Sequence, residues 1–244
     1  MNSPRLQPLR LGPDEAWLSA VFAEADAPRA AVLMLAPFPH EWQRSYRLFA
    51  LLSNALAERG IASLRFDYRG CGDSAGDDTE FCLSQALHDA RIALDWLQKR
   101  VRTPVHALGI RAGALIGGHL CAAAGLPLLV WQPIEDGATY QQALQQRDQT
   151  ELNNRRRFPF QRALRASAPD QLLGARLHPA LCAELAAARL AYPVALRIGA
   201  EAADIELGPA LANWVDEIDL ATSFPLPQIR ALAARLSERL GGQT

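Results

Sequence analysis

The stretch GIRAG at residues 109–113 joins an apolar run to a stretch of small residues, and it decides the fold. The run before it, Val105–Ile110, has the length and apolar character of a buried strand, and residues 112–124 are rich in alanine and glycine. Glycines stand two positions before and two positions after Arg111. Strand and helix backbones nearly touch at so sharp a turn, so the flanking positions favour residues without a Cβ. The stretch predicts a strand–turn–helix junction with Arg111 at its apex.

The same arrangement forms the nucleophile elbow of α/β-hydrolases, in which the central residue of the turn attacks the substrate. Arg111 cannot do this, because its guanidinium stays protonated at any physiological pH. The general base is missing as well. The chain order of this fold places the catalytic histidine near Thr222 or Ser223, but the last histidine of the sequence is His178. These two losses together argue against an ordinary serine hydrolase.

The rest of the chain alternates between strand-like and helix-like segments. This alternation predicts βαβ units, hence an α/β-hydrolase fold with a mostly parallel sheet flanked by helices. The predicted strands are residues 17–23 (an antiparallel edge strand), 31–37, 61–68, 105–110, 126–131, 192–198 and 215–220. The predicted helices begin near residues 46, 83, 112 and 229.

The alternation is interrupted between residues 132 and 190. We expect this segment to be a helical lid inserted over the carboxyl edge of the sheet. The core would then comprise residues 1–131 and 191–244. The segment contains five arginines within a short distance, which predict a basic and solvated surface.

Composition excludes several classes of function. The 25 basic and 26 acidic residues nearly balance, so the chain lacks the basic excess of a nucleic-acid-binding protein. The sequence shows neither a signal peptide nor a membrane-spanning segment, which predicts a cytoplasmic protein without stable membrane insertion. Four cysteines without metal-ligand spacing predict reduced thiols and no metal site. The glycines of the loop at residues 69–76 lack the spacing of a dinucleotide fingerprint, and we expect no cofactor.

Arg111 has two interpretations that need not exclude each other. It would stand at the N-terminus of a helix, where the backbone already favours negative charge. A carboxylate, phosphate or sulfate could be held there by Arg111 and the amide of Ala112, together with the amide of Phe38. Alternatively, Arg111 forms an ion pair, because a buried unpaired charge is costly. The acidic residues expected nearby are Glu41, Glu135 and Asp136.

Other residues could in principle replace the missing nucleophile or base. His40 and Glu41 follow the first core strand, in a predicted loop at the rim of the site, and are weak candidates for an acid or base. Ser74 is interpreted as a turn-capping hydroxyl, and Cys121 as a packed helix residue.

Four segments, APFPHEWQRSYR, FDYRGCGDSAGD, LGIRAGALIG and VWQPIEDG, resemble the hydrolases that accompany the exosortase A system, and the second type of these most closely. The later segment LHPALCAELAAARLA is similar to that type too. The resemblance implies an α/β-hydrolase fold and a bacterial setting of exopolysaccharide production and protein sorting. It also implies that the elbow serine is commonly absent, so no catalytic triad is carried over.

Three hypotheses follow. The first is a non-catalytic or altered hydrolase-fold protein that binds a small acyl, glycan or other anionic ligand beneath its lid. The second is an ester or amide hydrolase with an unorthodox nucleophile, or with water activated through His40 and Glu41. The third is a partner-binding scaffold. The sequence leaves the oligomeric state open.

Overall fold

The structure, a computed structural model, describes residues 4–212, Trp214 and residues 226–241. The strands of this part of the chain are β1 (Arg5–Leu11), β2 (Leu18–Glu24), β3 (Ala30–Leu35), β4 (Ile61–Phe66), β5 (Val105–Ile110), β6 (Leu128–Trp131), β7 (Gln171–Leu172), β8 (Ala175–Arg176), β9 (Val194–Gly199) and β10 (Ile205–Glu206). Its helices are α1 (Pro39–Ala57), α2 (Leu83–Arg100), α3 (Gly113–Ala124), α4 (Gly137–Leu152), α5 (Leu181–Ala187), α6 (Pro209–Ala212) and α7 (Leu226–Gly241).

Eight of these strands form one sheet in the order β1-β2-β4-β3-β5-β6-β9-β10. The pairs β1–β2 and β2–β4 are antiparallel, and every other pair in the sheet is parallel. All residues of β3, β4, β5 and β6 are buried. Continuous burial is typical of central parallel strands that are covered on both faces. The predicted mostly parallel sheet is therefore confirmed.

The helices flank both faces of this sheet. The connection through α1 runs from β3 to its neighbour β4, whereas α2 and α3 carry the chain in the opposite direction across the sheet. Because such crossovers are right-handed, α1 lies on one face and α2 and α3 lie on the other. Helix α7 packs against α1, and α2 packs against α3.

Two predictions at the N-terminal end were wrong. Strand β2 is not the edge of the sheet, because the exposed strand β1 pairs along its whole length. Helix α1 begins at Pro39 rather than near residue 46. Proline is favoured in the first turn of a helix, where its missing N–H is not needed. His40 and Glu41 therefore lie in the first helical turn and not in a loop.

Residues 132–190, called the insertion below, are only partly helical. Helices α4 and α5 agree with the prediction, but residues 153–180 contain turns and the hairpin β7–β8. Backbone angles explain the hairpin, since Leu173 and Gly174 have positive φ values of 51° and 86°. Two such residues form the tight turn that suits the twist of antiparallel strands. The prediction of a helical insertion was wrong for this segment.

The C-terminal end is described in part. The predicted strand at residues 215–220 lies outside the described residues, whereas the helix predicted to begin near residue 229 is confirmed as α7, which begins at Leu226. Among the helices that the structure describes, none has both the length and the apolar character needed to cross a bilayer.

Candidate functional site

Arg111 occupies the apex of a strained turn between β5 and α3. Its φ is +52°, a left-handed conformation that is uncommon for residues other than glycine. The backbone holds it from both sides: Arg111 N–H donates to the carbonyl of Trp131 at 3.0 Å, and its carbonyl accepts from Ile134 N–H at 3.1 Å. The elbow conformation predicted from the sequence is present with arginine at its centre.

The two flanking glycines are required by close backbone approach. A Cβ on Gly109 would lie 2.5 Å from Cα of Ala114, and one on Gly113 would lie 2.3 Å from the carbonyl oxygen of Leu35 and 2.6 Å from that of Ala36. These separations are far shorter than any real contact. The start of α3 is thus pressed against the end of β3, which brings the elbow next to the start of α1.

The Arg111 guanidinium contacts Glu41 and the chain after β6. Its Nε lies 3.5 Å from Glu41 Oε1, and its Nη1 donates to the carbonyl of Gln132 at 3.3 Å. Both distances are long for hydrogen bonds. A guanidinium has five N–H donors, and the other three have no hydrogen-bond partner among the described residues. The side chain remains 23% exposed, so its charge is accessible.

Of the three predicted partners, only Glu41 pairs with Arg111 in the described part of the chain. Glu135 binds Arg197 at 2.7 Å, and Asp136 binds Arg189 at 2.8 Å. Asp136 also accepts a hydrogen bond from Thr139 N–H, which caps α4. These two acidic residues therefore organise the start of the insertion.

Glu41 is buried on the first turn of α1, with 2% of its side chain exposed. Burial raises the pKa of its carboxyl above the ordinary value of 4.5, against the lowering effects of Arg111 and of the Tyr140 hydroxyl. No hydrogen bond of good geometry joins that hydroxyl to the carboxylate, and Glu41 Oε2 has no partner among the described residues. A buried acceptor without a partner is costly and marks an incomplete polar cluster.

His40 precedes Glu41 on the same helical turn. Its Nε2 lies 3.9 Å from Glu41 Oε1, and 18% of its side chain is exposed. His40, Glu41 and Arg111 therefore lie together, as the sequence suggested, although no sequence signal fixed their distances.

Two backbone amides beside the elbow correspond to the oxyanion donors of α/β-hydrolases. In that fold the oxyanion is bound by the N–H after the central elbow residue and by an N–H from the loop after the third strand. The corresponding residues here are Ala112 and Phe38. Neither N–H donates a hydrogen bond to another described residue.

A small cavity of about 60 Å³ lies between the core and the insertion. Phe38 and His40 line it at the end nearer the elbow, and leucines of α4, α5 and the hairpin line much of the remainder. The Phe38 ring meets the rings of Phe81 and Tyr140 edge to face, at centroid distances of 5.3 and 5.6 Å. The cavity is therefore mainly apolar.

The side chains considered as alternative nucleophiles, Ser74 and Cys121, have structural roles. Ser74 donates to the carbonyl of Asp67 at 2.6 Å and accepts from Ser19 N–H at 2.8 Å, so it ties the loop after β4 to β2. Cys121 is fully buried in α3, and burial raises the pKa of its thiol to about 12. Ser223 lies outside the described residues.

Sequence reasoning missed two members of this cluster, Gln132 and Tyr140. Gln132 has a φ of +43°, and its side-chain amide donates to the carbonyl of Ala212 at 2.6 Å. Its position directly after a predicted strand was an available signal. Tyr140 reaches Glu41 only through the packing of α4, which no local pattern encodes. The described residues contain no group of three or more metal-ligating side chains.

Comparisons with known proteins agree on the architecture. No protein-family model matches the chain. Two curated Escherichia coli sequences, each described as an uncharacterized 31.7 kDa protein in the traX-finO intergenic region, are 31% and 30% identical over 77 and 76 residues. These matches cover 32% and 31% of this chain, and the chain spans only 27% of the length of each relative.

Solved structures match over nearly the whole chain. Est1E from Butyrivibrio proteoclasticus, solved with ferulic acid bound, aligns with a TM-score of 0.61 and 16% identity, covering 95% of this chain and 98% of that one. A putative hydrolase from Agrobacterium vitis S4 aligns with a TM-score of 0.56 and 16% identity, covering 98% and 100%. Together with the strand order and the elbow, these alignments show that the chain has the α/β-hydrolase fold.

Proposed function

We propose that this protein binds a small ligand with an anionic group, such as an acyl or glycan carboxylate, at the elbow, and that it does not form an acyl-enzyme. The observation that carries the proposal is Arg111 at the strained apex, φ +52°, beside the amides of Ala112 and Phe38, which donate to no other described residue. A hydrolase elbow presents a side chain to the substrate. Here that side chain is a permanent cation.

The charges of the cluster support an anion. Three N–H donors of Arg111 have no partner among the residues that the structure describes, and its contact with Glu41 is long and made through a single carboxylate oxygen. A bidentate guanidinium–carboxylate pair would use two donors at shorter distances. The ion pair and the ligand site are therefore compatible, because a ligand carboxylate can engage donors that Glu41 does not.

The insertion at residues 132–190 is proposed to act as the lid of this site. It supplies Tyr140 and much of the wall of the apolar cavity, which at about 60 Å³ is smaller than an ordinary ligand site, so the lid would have to move to admit an acyl or aromatic group. An exosortase-associated, exopolysaccharide setting rests on the quoted segments alone. Within that setting we propose a cytoplasmic protein.

The test is calorimetric binding of ferulate, compared with its uncharged methyl ester, to the full chain. Ferulate is the first probe because a protein of the same fold has been solved with ferulic acid bound. Binding of the carboxylate but not of the ester is expected. The variant R111Q is expected to weaken binding on the order of tenfold to hundredfold, since a charged hydrogen bond contributes about 1.5–3 kcal/mol.

The matched control is R197Q, which removes an arginine that also pairs with a glutamate, at 2.7 Å, but on β9. Equal binding by R111Q and R197Q would show that Arg111 has only a structural role.

A second candidate function is hydrolysis by activated water. The observation in its favour is the proximity of His40 to Glu41, 3.9 Å between Nε2 and Oε1, near the amides of Ala112 and Phe38. In this mechanism the pair accepts a proton from water, and the amides stabilise the oxyanion that forms. Turnover of p-nitrophenyl esters that is lost in H40A would support it.

Serine chemistry is tested separately by labelling the protein with a fluorophosphonate probe and measuring its intact mass. The proposal expects no adduct. A stoichiometric adduct would refute it and would direct mapping to the labelled serine.

A further inference from the structure

Within the insertion, residues 153–168, called the arginine loop below, expose two large apolar side chains. Phe160 is 94% exposed and Leu164 is 85% exposed, far more than Leu6, Tyr46 or Leu226, the other exposed large apolar residues of the described chain. Single exposed apolar residues are ordinary. Two almost fully exposed ones on the same loop, four positions apart, are a feature that calls for a partner.

The arginine loop is also strongly basic. It contains five exposed arginines and no acidic residue: Arg155, Arg156, Arg157, Arg162 and Arg165. The rest of the chain consequently has an excess of acidic residues. Only Arg157 has an acidic partner among the described residues, Glu151 at 3.8 Å. The loop is therefore a local positive patch on an otherwise acidic protein.

Hydrogen bonds hold the loop in this shape. The side-chain oxygen of Asn153 accepts from Arg165 N–H and from the Gln161 amide, both at 2.9 Å, and its amide donates to the Arg165 carbonyl at 2.9 Å. Gln149 donates to the same carbonyl at 2.6 Å. Both ends of the loop are thereby tied together, so the exposed positions of Phe160 and Leu164 belong to a defined loop.

A third apolar residue of the arginine loop, Phe158, is covered by neighbouring side chains. Its ring is half-buried beneath the guanidinium groups of Arg157 and Arg165, at 5.7 and 5.0 Å from the ring centre. Phe160 has no such cover. This difference between Phe158 and Phe160 argues that the exposure of Phe160 is a specific feature of the loop.

We propose that the arginine loop docks this protein reversibly onto an anionic lipid bilayer, with Phe160 and Leu164 entering the interface and the arginines binding lipid phosphates. Aromatic and leucine side chains flanked by arginines suit the boundary between headgroups and acyl chains. Each arginine near an anionic surface strengthens binding about fivefold. An acidic protein partner could use the same side chains, but five arginines on one short loop without an acidic residue favour a surface of repeated phosphates, and the vesicle experiment separates the two.

The experiment is co-sedimentation of the full chain with vesicles of phosphatidylcholine alone and of phosphatidylcholine and phosphatidylglycerol in equal parts. Binding to the anionic vesicles only is expected, and it should weaken with added salt because screening shortens the range of charge attraction. The variant F160A/L164A should bind roughly tenfold or more weakly, since it removes the apolar groups that the interface would bury. Because both side chains are almost fully exposed, the double variant is expected to remain folded.

The charge variant R155Q/R156Q/R162Q removes arginines that have no acidic partner in the described part of the chain, and it should reduce binding by about a hundredfold. The matched controls are L6A, an exposed leucine of β1, and R91Q/R102Q/R230Q, three exposed arginines elsewhere. Both controls should bind as the parent chain does.

Absence of sedimentation with anionic vesicles would overturn the proposal. So would retention of full binding by F160A/L164A, because the patch would then be a general polyanion surface suited to an acidic protein. Equal loss in the L6A control would show that the effect is not specific to the loop.

Discussion

The variant G113A tests whether the elbow is as tight as the structure shows. Gly113 is the first residue of α3, where alanine would ordinarily stabilise the helix by up to about 1 kcal/mol. Its Cβ would however lie 2.3 Å from one backbone oxygen of β3 and 2.6 Å from the next. Because both obstacles are backbone atoms, relief requires α3 and the end of β3 to separate by about 1 Å.

Overpacking of this kind costs about 3 kcal/mol. Set against the gain in helix propensity, the net loss is about 2 kcal/mol, which corresponds to a fall in Tm of about 4–8 °C for a chain of this length. The assay is urea unfolding, with the free energy taken from midpoints at an unchanged m-value. The variant should also lose any ligand binding at Arg111, since the apex shifts with the helix.

The matched control is G199A. Gly199 is likewise buried, at the end of β9, but a Cβ there would meet only ordinary contacts at 3.7 and 3.9 Å. We expect its free energy of unfolding to change by less than about 0.5 kcal/mol. If G113A were as stable as the parent chain, or more stable, the close approach of α3 to β3 would be refuted, and with it the elbow geometry.

Two further predictions concern charge and thiols. E41Q should bind ferulate at least about tenfold more tightly at neutral pH, because it removes a negative charge beside Arg111. The affinity of the parent chain should approach that of E41Q as the pH falls and Glu41 takes up a proton. An identical affinity of the two proteins at every pH would contradict this prediction. With Ellman's reagent, the half-buried Cys182 should react in the native protein. Cys71 and Cys121 should react only after unfolding, because burial raises the pKa of both thiols. Labelling of Cys121 in the native protein would contradict its buried position.

The pKa of Glu41 also predicts the sign of a stability change. Its pKa in the folded state lies above the ordinary 4.5, so the native protein binds more protons than the unfolded chain just above that pH. The stabilisation by the protonated form is present below pH 4.5 and is lost as the pH rises through the raised value. The variant E41Q lacks this titration. With rising pH, the stability of E41Q relative to the parent chain should therefore increase. Chemical denaturation across this range measures it.

The sequence predicted the buried centre of the fold better than its edges. The bounds of β5 and the start of α2 agree with the predicted ones, because continuous burial and an amphipathic pattern leave a clear signal. Strand β1 left no such signal: it is exposed over most of its length and contains Pro8, and it is held mainly by its pairing with β2. The hairpin β7–β8 is two residues per strand, too short for any periodicity.

In the candidate site, too, some features could be predicted from the sequence and others could not. The elbow was predictable because the spacing of its two glycines around the turn can be read in the sequence, although the contact that requires Gly113 is made with the end of β3. The choice of Glu41 over Glu135 and Asp136 was not, because it depends on α1 beginning at Pro39 and on α3 pressing against β3. Each of the other two acidic residues pairs instead with an arginine near β9, Arg197 and Arg189, and such pairings are set by tertiary structure alone.

Replacement of a nucleophile by arginine need not dismantle a hydrolase site. The strained turn persists, with its two flanking glycines, and the amides of Ala112 and Phe38 donate to no acceptor in the described part of the chain. A scaffold with no ligand would gain stability by relaxing the strained apex and by satisfying those donors. Both features, beside a cation that Glu41 contacts only at 3.5 Å, therefore support the proposed anion site over an ion pair alone.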